Sequence, residues 1–124
     1  MKKKLFAIML IALACVVSAP REHSRTGQAF AQGKNTVHFF YGKGCPHCEQ
    51  VEGYLRQYTR QFNLDVKHYE VWYDVNNRNK LIAMAKERGK SVNGVPTLIA
   101  GREVYTGSNQ AKVEGLLRKA ARSK

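Results

Sequence analysis

Acidic residues are scarce in this sequence. Nine Asp and Glu stand against 21 Lys and Arg, and within residues 32–124 the counts are eight and sixteen, an excess of eight positive charges. Such an excess can mark a nucleic-acid-binding protein, but here no basic cluster is interleaved with aromatic residues. We therefore predict a solvated basic surface and no nucleic-acid partner. The basic side chains assigned to this surface are scattered singly, at Arg56, Arg60, Lys80, Lys86, Arg88, Lys112, Arg118 and Lys119.

Long apolar runs are also few. The longest, at residues 5–17, is short for a membrane span and follows three lysines, which is typical of a secretory signal. We predict that residues 1–31 are signal peptide and leader, cleaved after Ala31, and that residues 32–124 form one domain. Cleavage before Pro20, lipidation at Cys15 and an uncleaved membrane anchor are the alternatives. Each of them places the domain in the periplasm or otherwise outside the cytoplasm.

Cysteine is scarce as well, because removal of the leader leaves only Cys45 and Cys48. A disulfide between them closes so small a loop that it would stabilise the fold little. A c-type haem attachment requires histidine where Glu49 stands. A zinc site requires four ligands, and no second paired spacing is found among the remaining candidates, His38, His47 and His68. We therefore predict no metal and no cofactor beyond a redox-active Cys45–Cys48 disulfide.

The hydrophobic periodicity predicts the element order β-α-β-α-β-β-α. A strand, helix and strand in succession require a right-handed crossover and hence parallel strands, whereas the short link at Gly101 makes the last two strands antiparallel. The predicted fold class is α/β, a four-stranded mixed sheet flanked by helices. The elements are a strand at residues 35–41, a helix beginning at Cys45, a strand at 66–74, a helix at 76–88, strands within 93–101 and 102–107, and a last helix capped by Ser108.

Cys45 and Cys48 fall in the first turn of the first predicted helix. Residues three apart on a helix bring their Cβ atoms to about 5–6 Å, so a disulfide can open and close with little backbone movement. Cys45, at the helix start, faces unpaired backbone N–H groups that favour a thiolate. We predict that Cys45 is the exposed nucleophile and that Cys48 is the buried resolving cysteine.

The residues around the cysteines are predicted to tune the redox potential of the pair. Pro46 suits the first position of a helix and stiffens the turn. His47 can hydrogen-bond to the Cys45 thiolate or, when protonated, stabilise it electrostatically, and Lys43 can add to the positive field. Because stabilising the thiolate stabilises the reduced dithiol, the pattern predicts a relatively oxidising couple.

Two segments, FFYGKGCPHC at the end of the first strand and GVPT entering the third, resemble the thioredoxin superfamily. The CPHC dithiol is similar to that of Dsb-type periplasmic oxidoreductases, and the short chain is closer to a glutaredoxin-like minimal fold. The resemblance implies a thioredoxin-like fold and an exported thiol–disulfide oxidoreductase acting on protein thiols and disulfides. It also implies a cis Val95–Pro96 bond, with the Val95 backbone pairing with substrate. The sequence departs from the family at Phe39, where a buried carboxylate is common.

Two other functions stay open at this point. One is a dedicated electron carrier for a single membrane redox partner, and the other is a non-enzymatic thioredoxin-like binding module. We expect a monomer in each case. His38 and His68 are interpreted as packing residues in strands, and Trp72 as core or surface filler.

Overall fold

The computed structural model describes residues 35–122, and the predicted leader at residues 1–31 lies outside them. Within the described part of the chain, no helix is both long enough and apolar enough to cross a membrane. Its elements, in chain order, are β1 (Thr36–Tyr41), α1 (Pro46–Phe62), β2 (Asp65–Glu70), α2 (Val75–Glu87), β3 (Thr97–Ala100), β4 (Glu103–Thr106) and α3 (Gln110–Arg122).

The four strands form one mixed sheet in the order β2-β1-β3-β4. β1 runs parallel to β2 and antiparallel to β3, and β3 and β4 are antiparallel. Gly101, with φ of 57°, makes the tight turn between the last two strands. The predicted fold class, element order and strand directions are therefore confirmed.

The core lies on both faces of the sheet, because alternate side chains of β1 point to opposite sides. Val37 and Phe39 join the cluster formed with α1 and α3, whereas Phe40 joins the cluster formed with α2. Apolar residues that recur at helical spacing in the sequence face the core, and all of them are buried except Tyr54 and Phe62, which are partly buried. They consist of Val51, Tyr54, Leu55, Tyr58 and Phe62 on α1, Leu81, Met84 and Ala85 on α2, and Val113, Leu116, Leu117 and Ala120 on α3.

The second strand is shorter than the alternating pattern predicts. That pattern continues to Asp74, but β2 ends at Glu70. The Glu70 carboxylate accepts hydrogen bonds from the amides of Trp72 and Tyr73, both at 2.9 Å, and of Asp74, at 3.2 Å. These bonds turn the chain out of the sheet. Asp74 then caps α2 by accepting from the amide of Asn77 at 3.0 Å.

The cap of the last helix is one residue later than predicted. The Asn109 side chain accepts from the amide of Lys112 at 3.1 Å, and α3 begins at Gln110. An N-cap side chain must reach the amide two or three residues on, and with this helix start Asn109 is the residue that does so. Ser108 instead places its Oγ atom 3.4 Å from Nδ1 of His47. The assignment of Ser108 as the cap is therefore wrong.

The sequence pattern predicted that Arg88 is a solvated surface charge, and this prediction is wrong. Its side chain is only 10% exposed. Nε donates to the carbonyl of Gly101 at 2.6 Å, and Nη1 donates to the carbonyl of Met84 at 2.7 Å. Arg88 therefore ties the last turn of α2 to the turn between β3 and β4.

Candidate active site

Two glycines shape the turn that carries the chain from β1 to the dithiol. Gly44 has φ of 84°, in the left-handed region that favours glycine. At Gly42 a Cβ atom would lie 2.2 Å from ring carbons of Trp72, so the indole ring lies directly against the backbone. The amide of Cys45 donates to the carbonyl of Gly42 at 3.1 Å and closes the turn. Trp72 thus covers the loop that precedes the cysteines.

Cys45 is itself the N-cap of α1. Its backbone is extended, and its Sγ atom accepts a hydrogen bond from the amide of Cys48 at 3.2 Å. Pro46 occupies the first helical position, where the missing N–H is not needed. Both thiols are free. The predicted helix start at the dithiol is confirmed, and one sulfur takes the place of the usual capping oxygen.

The contrast in exposure predicted for the two cysteines is wrong. Cys45 is only 5% exposed and Cys48 3%. Both belong to the core cluster that also contains Phe39 of β1, Val51 of α1 and Val113 of α3. Both also line a cleft of about 350 Å³. The sulfurs are therefore approached through this cleft and not from a fully exposed helix end.

Cys48 is held as a thiol. Burial, together with a hydrogen bond to the Cys45 side chain, raises the pKa of Cys48 to about 12. At neutral pH this group keeps its proton, and a thiol is a poor nucleophile. Any attack by Cys48 therefore requires a group that takes up the proton.

His47 does not make the hydrogen bond predicted for it. Its ring faces Ser108, and among the described residues no hydrogen bond joins it to the Cys45 sulfur. The physical reason is the helix geometry, since His47 is the second residue of α1 and points away from the capping sulfur toward the start of α3. Its electrostatic effect on Cys45 stays a prediction.

Glu70 is a site-organising residue that the sequence pattern did not indicate. Besides the three amides of its own loop, its carboxylate accepts from the amide of Lys43 at 3.2 Å. Although burial raises the pKa of Glu70, the amides of Tyr73, Lys43, Trp72 and Asp74 together lower it below its ordinary value. The carboxylate thus links the loop after β2 to the loop before the cysteines. No signal in the sequence pairs Glu70 with Lys43, because the two are 27 residues apart.

The Val95–Pro96 bond is cis, as the resemblance implied. Val95 is half-buried and packs against the core cluster that contains both cysteines. Pro96 is buried, and its carbonyl accepts from the amide of Gly107 at 3.0 Å. Within residues 35–122, no backbone hydrogen bond occupies the N–H or C=O of Val95. The backbone of Val95 therefore has the free donor and acceptor that an added strand needs.

The two strand histidines differ in their surroundings. His38 is buried, with Nδ1 3.2 Å from the Tyr69 hydroxyl, and its Nε2 has no partner among the described residues. Burial, followed by the positive charges of Arg88 and Lys80, lowers the pKa of His38 below 6.5. His38 is a packing residue, as predicted. His68 instead has Nε2 3.0 Å from Oε2 of Glu52, a pairing that no sequence pattern indicates.

The part of the chain that the structure describes contains no group of three or more His, Cys, Asp or Glu side chains placed to hold a metal ion. The cleft that both cysteines line also contains the side chains of Glu49, Glu52 and His68.

Solved structures of other proteins share the arrangement of strands and helices described above. No protein-family model and no curated protein matches the chain. A crystal structure of a thioredoxin-like protein matches with a TM-score of 0.53 and 23% identity, over 65% of this chain and 97% of that one. The fold is that of the thioredoxins. The glutaredoxin of Archaeoglobus fulgidus matches with a TM-score of 0.53 and 23% identity, over 69% of this chain and 89% of its own. Mitochondrial thioredoxin 3 of Saccharomyces cerevisiae, in its oxidised form, matches with a TM-score of 0.50 and 22% identity, over 71% of this chain and 80% of its own.

Proposed function

We propose that the chain is an exported thiol–disulfide oxidoreductase that exchanges disulfides with protein thiols through Cys45 and Cys48. The observation that carries the proposal is the capping of α1 by the Cys45 sulfur, with the second cysteine one helical turn further on. This placement puts one sulfur at the positive end of a helix and the other within reach of it. The thioredoxin-like fold and the free backbone of Val95 support the same function.

In the oxidising direction, a substrate thiolate attacks the Cys45 sulfur of the Cys45–Cys48 disulfide. The bond between the two cysteines breaks, and Cys48 leaves as a thiolate that takes up a proton. A second substrate thiolate then attacks the substrate sulfur of the mixed disulfide and releases Cys45. In the reducing direction, the Cys45 thiolate attacks a substrate disulfide, and Cys48 loses its proton and displaces the substrate from Cys45.

Substrate recognition in this proposal uses the backbone. An extended substrate segment pairs with the N–H and C=O of Val95, next to the buried Pro96, and its side chains are read only weakly. Protein thiols and disulfides are therefore the proposed partners, and the protein acts as a monomer. The basic leader residues and the apolar run at residues 5–17 support a periplasmic or otherwise extracytoplasmic location.

The test is to trap the mixed disulfide with a matched pair of variants. Cys48→Ala is expected to accumulate a covalent complex with a disulfide-containing protein substrate, because the resolving thiol is missing. Cys45→Ala keeps the other thiol and is expected to form none. Non-reducing electrophoresis, repeated after dithiothreitol treatment, measures the complex. Absence of a complex with Cys48→Ala would contradict the proposal and favour the binding module.

Substrate range separates a general catalyst from a dedicated electron carrier. A general catalyst turns over unrelated substrates such as insulin. Rapid exchange with one membrane protein, together with no turnover of any generic substrate, would favour the electron carrier for a membrane redox partner.

The equilibrium redox potential tests the tuning assigned to His47. We expect a value above about −270 mV, and His47→Leu should lower it. Because the ring makes no hydrogen bond to Cys45, its effect is electrostatic and should weaken as salt is added. Ser108→Ala, which removes the partner of the ring but keeps the ring itself, is the control.

A further inference from the structure

The cleft beside the dithiol contains a titratable pair that the proposed function leaves unused. Glu52 and His68 line this cleft together with Cys45 and Cys48. The two side chains are hydrogen-bonded, with His68 Nε2 3.0 Å from Oε2 and 3.3 Å from Oε1 of Glu52. They are partly shielded, since the Glu52 side chain is 29% exposed and that of His68 43%.

The helix places Glu52 next to the resolving cysteine. Glu52 follows Cys48 by four residues on α1, so the two side chains lie on the same face, one turn apart. The other acid of the cleft, Glu49, follows Cys45 by four residues and is exposed. Glu52 is therefore the acid of this cleft that shares a helix face with Cys48, and it is hydrogen-bonded to His68.

The strands bring His68 next to Phe39 in the cleft of the dithiol. Phe39 and His68 are partners in the register of β1 and β2. Their rings are in edge contact, with centroids 5.6 Å apart. Phe39 is only 1% exposed and carries no titratable group. The imidazole and its carboxylate partner thus supply titratable groups beside an apolar residue that has none.

Resting on the proposed function, we propose that the carboxylate of Glu52, positioned by its hydrogen bond to His68, is the proton acceptor of Cys48. When the mixed disulfide resolves, the Cys48 thiol gives its proton to that carboxylate, which then releases it to water in the cleft. The Cys48 thiolate attacks the Cys45 sulfur, the bond from Cys45 to the substrate breaks, and the substrate sulfur leaves as a thiolate. In the oxidising direction Glu52 returns a proton to Cys48 as that cysteine leaves.

The charges around the cleft agree with this assignment. Nε of Arg56 lies 3.7 Å from Oε1 of Glu52, so the carboxylate is held beside a positive charge as well as beside His68. The cleft is also large enough to hold water that can bridge the thiol and the carboxylate. The titratable and charged residues that face the cleft are Tyr41, Lys43, Glu49, Glu52, Arg56 and His68.

Cys48 is the thiol that needs such an acceptor, because burial raises its pKa to about 12. A positioned acid–base group accelerates a proton transfer of this kind by about a hundredfold or more. Loss of the pair should therefore slow resolution and leave the first attack by Cys45 unchanged.

The test separates the two thiol steps in one reaction. The reduced protein is mixed with a symmetrical aromatic disulfide whose thiolate is coloured. Attack by Cys45 releases the first coloured thiolate, and displacement by Cys48 releases the second. Stopped-flow absorbance measures both rates across a range of pH in the unaltered protein, Glu52→Gln, His68→Gln and the matched control Glu49→Gln.

We expect Glu52→Gln to slow the second release about a hundredfold at neutral pH. His68→Gln, which removes the imidazole that positions Glu52, should slow it by a smaller factor, and Glu49→Gln should match the unaltered protein. The deficit should shrink as pH rises, because hydroxide then takes the proton, whereas a structural defect would persist. An unchanged second release in Glu52→Gln, or an equal loss in Glu49→Gln, would overturn the assignment of Glu52 as proton acceptor. Absence of the first release in the unaltered protein would overturn the proposed function itself.

Discussion

Substituting alanine at Gly42 tests the contact between the loop before the cysteines and Trp72. A Cβ atom at this position would lie 2.2 Å from two ring carbons of Trp72 and 2.7 Å from a third. Carbon atoms in contact are about 3.5–4.0 Å apart, so the ring must retreat by more than about 1 Å. Trp72 is 46% exposed and can swing outward, at the loss of its packing on the loop. We expect Gly42→Ala to cost about 1–3 kcal/mol of unfolding free energy.

Gly53→Ala is the matched control, with the opposite expected sign. Gly53 lies in the interior of α1, and nothing lies within 4 Å of its added Cβ. Alanine there should stabilise the helix by about 0.5–1 kcal/mol. Urea unfolding measures both values, and the fluorescence of the single tryptophan reports the ring position in the folded state. Equal effects of the two substitutions, or an unchanged folded-state emission in Gly42→Ala, would refute the contact.

Three further predictions concern stability. Because the folded-state pKa of His38 is lowered, its contribution is complete above about pH 6.5 and is lost as pH falls through the folded pKa. Unfolding free energies measured from pH 7 to pH 5 should therefore fall more steeply in the unaltered protein than in His38→Gln, and parallel slopes would contradict this. Glu70→Gln should lower the urea midpoint, because an amide cannot replace a carboxylate that accepts four N–H groups. The loss should shrink as pH falls through the lowered folded-state pKa of Glu70, where the carboxylate of the unaltered protein takes up a proton, and a loss that persists in strong acid would point to a different cause. Asn109→Ala should cost about 1 kcal/mol as a lost cap, whereas Ser108→Ala should change the unfolding free energy by less than about 0.5 kcal/mol, and the reverse order would restore Ser108 as the cap.

The fold was predictable because its signals are local. The apolar residues at Leu81, Met84 and Ala85 recur at helical spacing, and the run ending at Tyr41 has the composition of a buried strand. The short link at Gly101 fixed the direction of the last strand. The end of β2 was not predictable, because the alternating pattern continues past it. What ends the strand is a side chain, Glu70, that captures the amides following it.

The candidate site likewise has one part that was predictable from the sequence and one part that was not. The helix start at the CPHC segment was predictable, because a proline at the first helical position and a capping residue before it define where the helix begins. Contacts between distant segments carry no comparable signal. From the sequence alone Arg88 is expected to be a surface charge, because nothing in the sequence indicates its carbonyl partners at Met84 and Gly101. Glu52 and His68 meet only because α1 packs beside β2.

The capping role of Cys45 links the stability of the fold to its redox state. In the dithiol, the Cys45 sulfur is free to accept the hydrogen bond from the amide of Cys48. A thiolate sulfur is a charge-assisted acceptor and a disulfide sulfur is not, so the bond is strongest when Cys45 reacts as a thiolate, and the small loop that the disulfide closes adds little in return. An N-cap contributes about 1 kcal/mol, so the reduced protein should be the more stable form by roughly that amount. By linkage, 1.4 kcal/mol in favour of the dithiol raises the potential of a two-electron couple by about 30 mV. Urea unfolding of the reduced and oxidised forms measures this difference directly. An oxidised protein that is more stable than the reduced one would show that the cap does not bias the couple toward oxidation of its substrates.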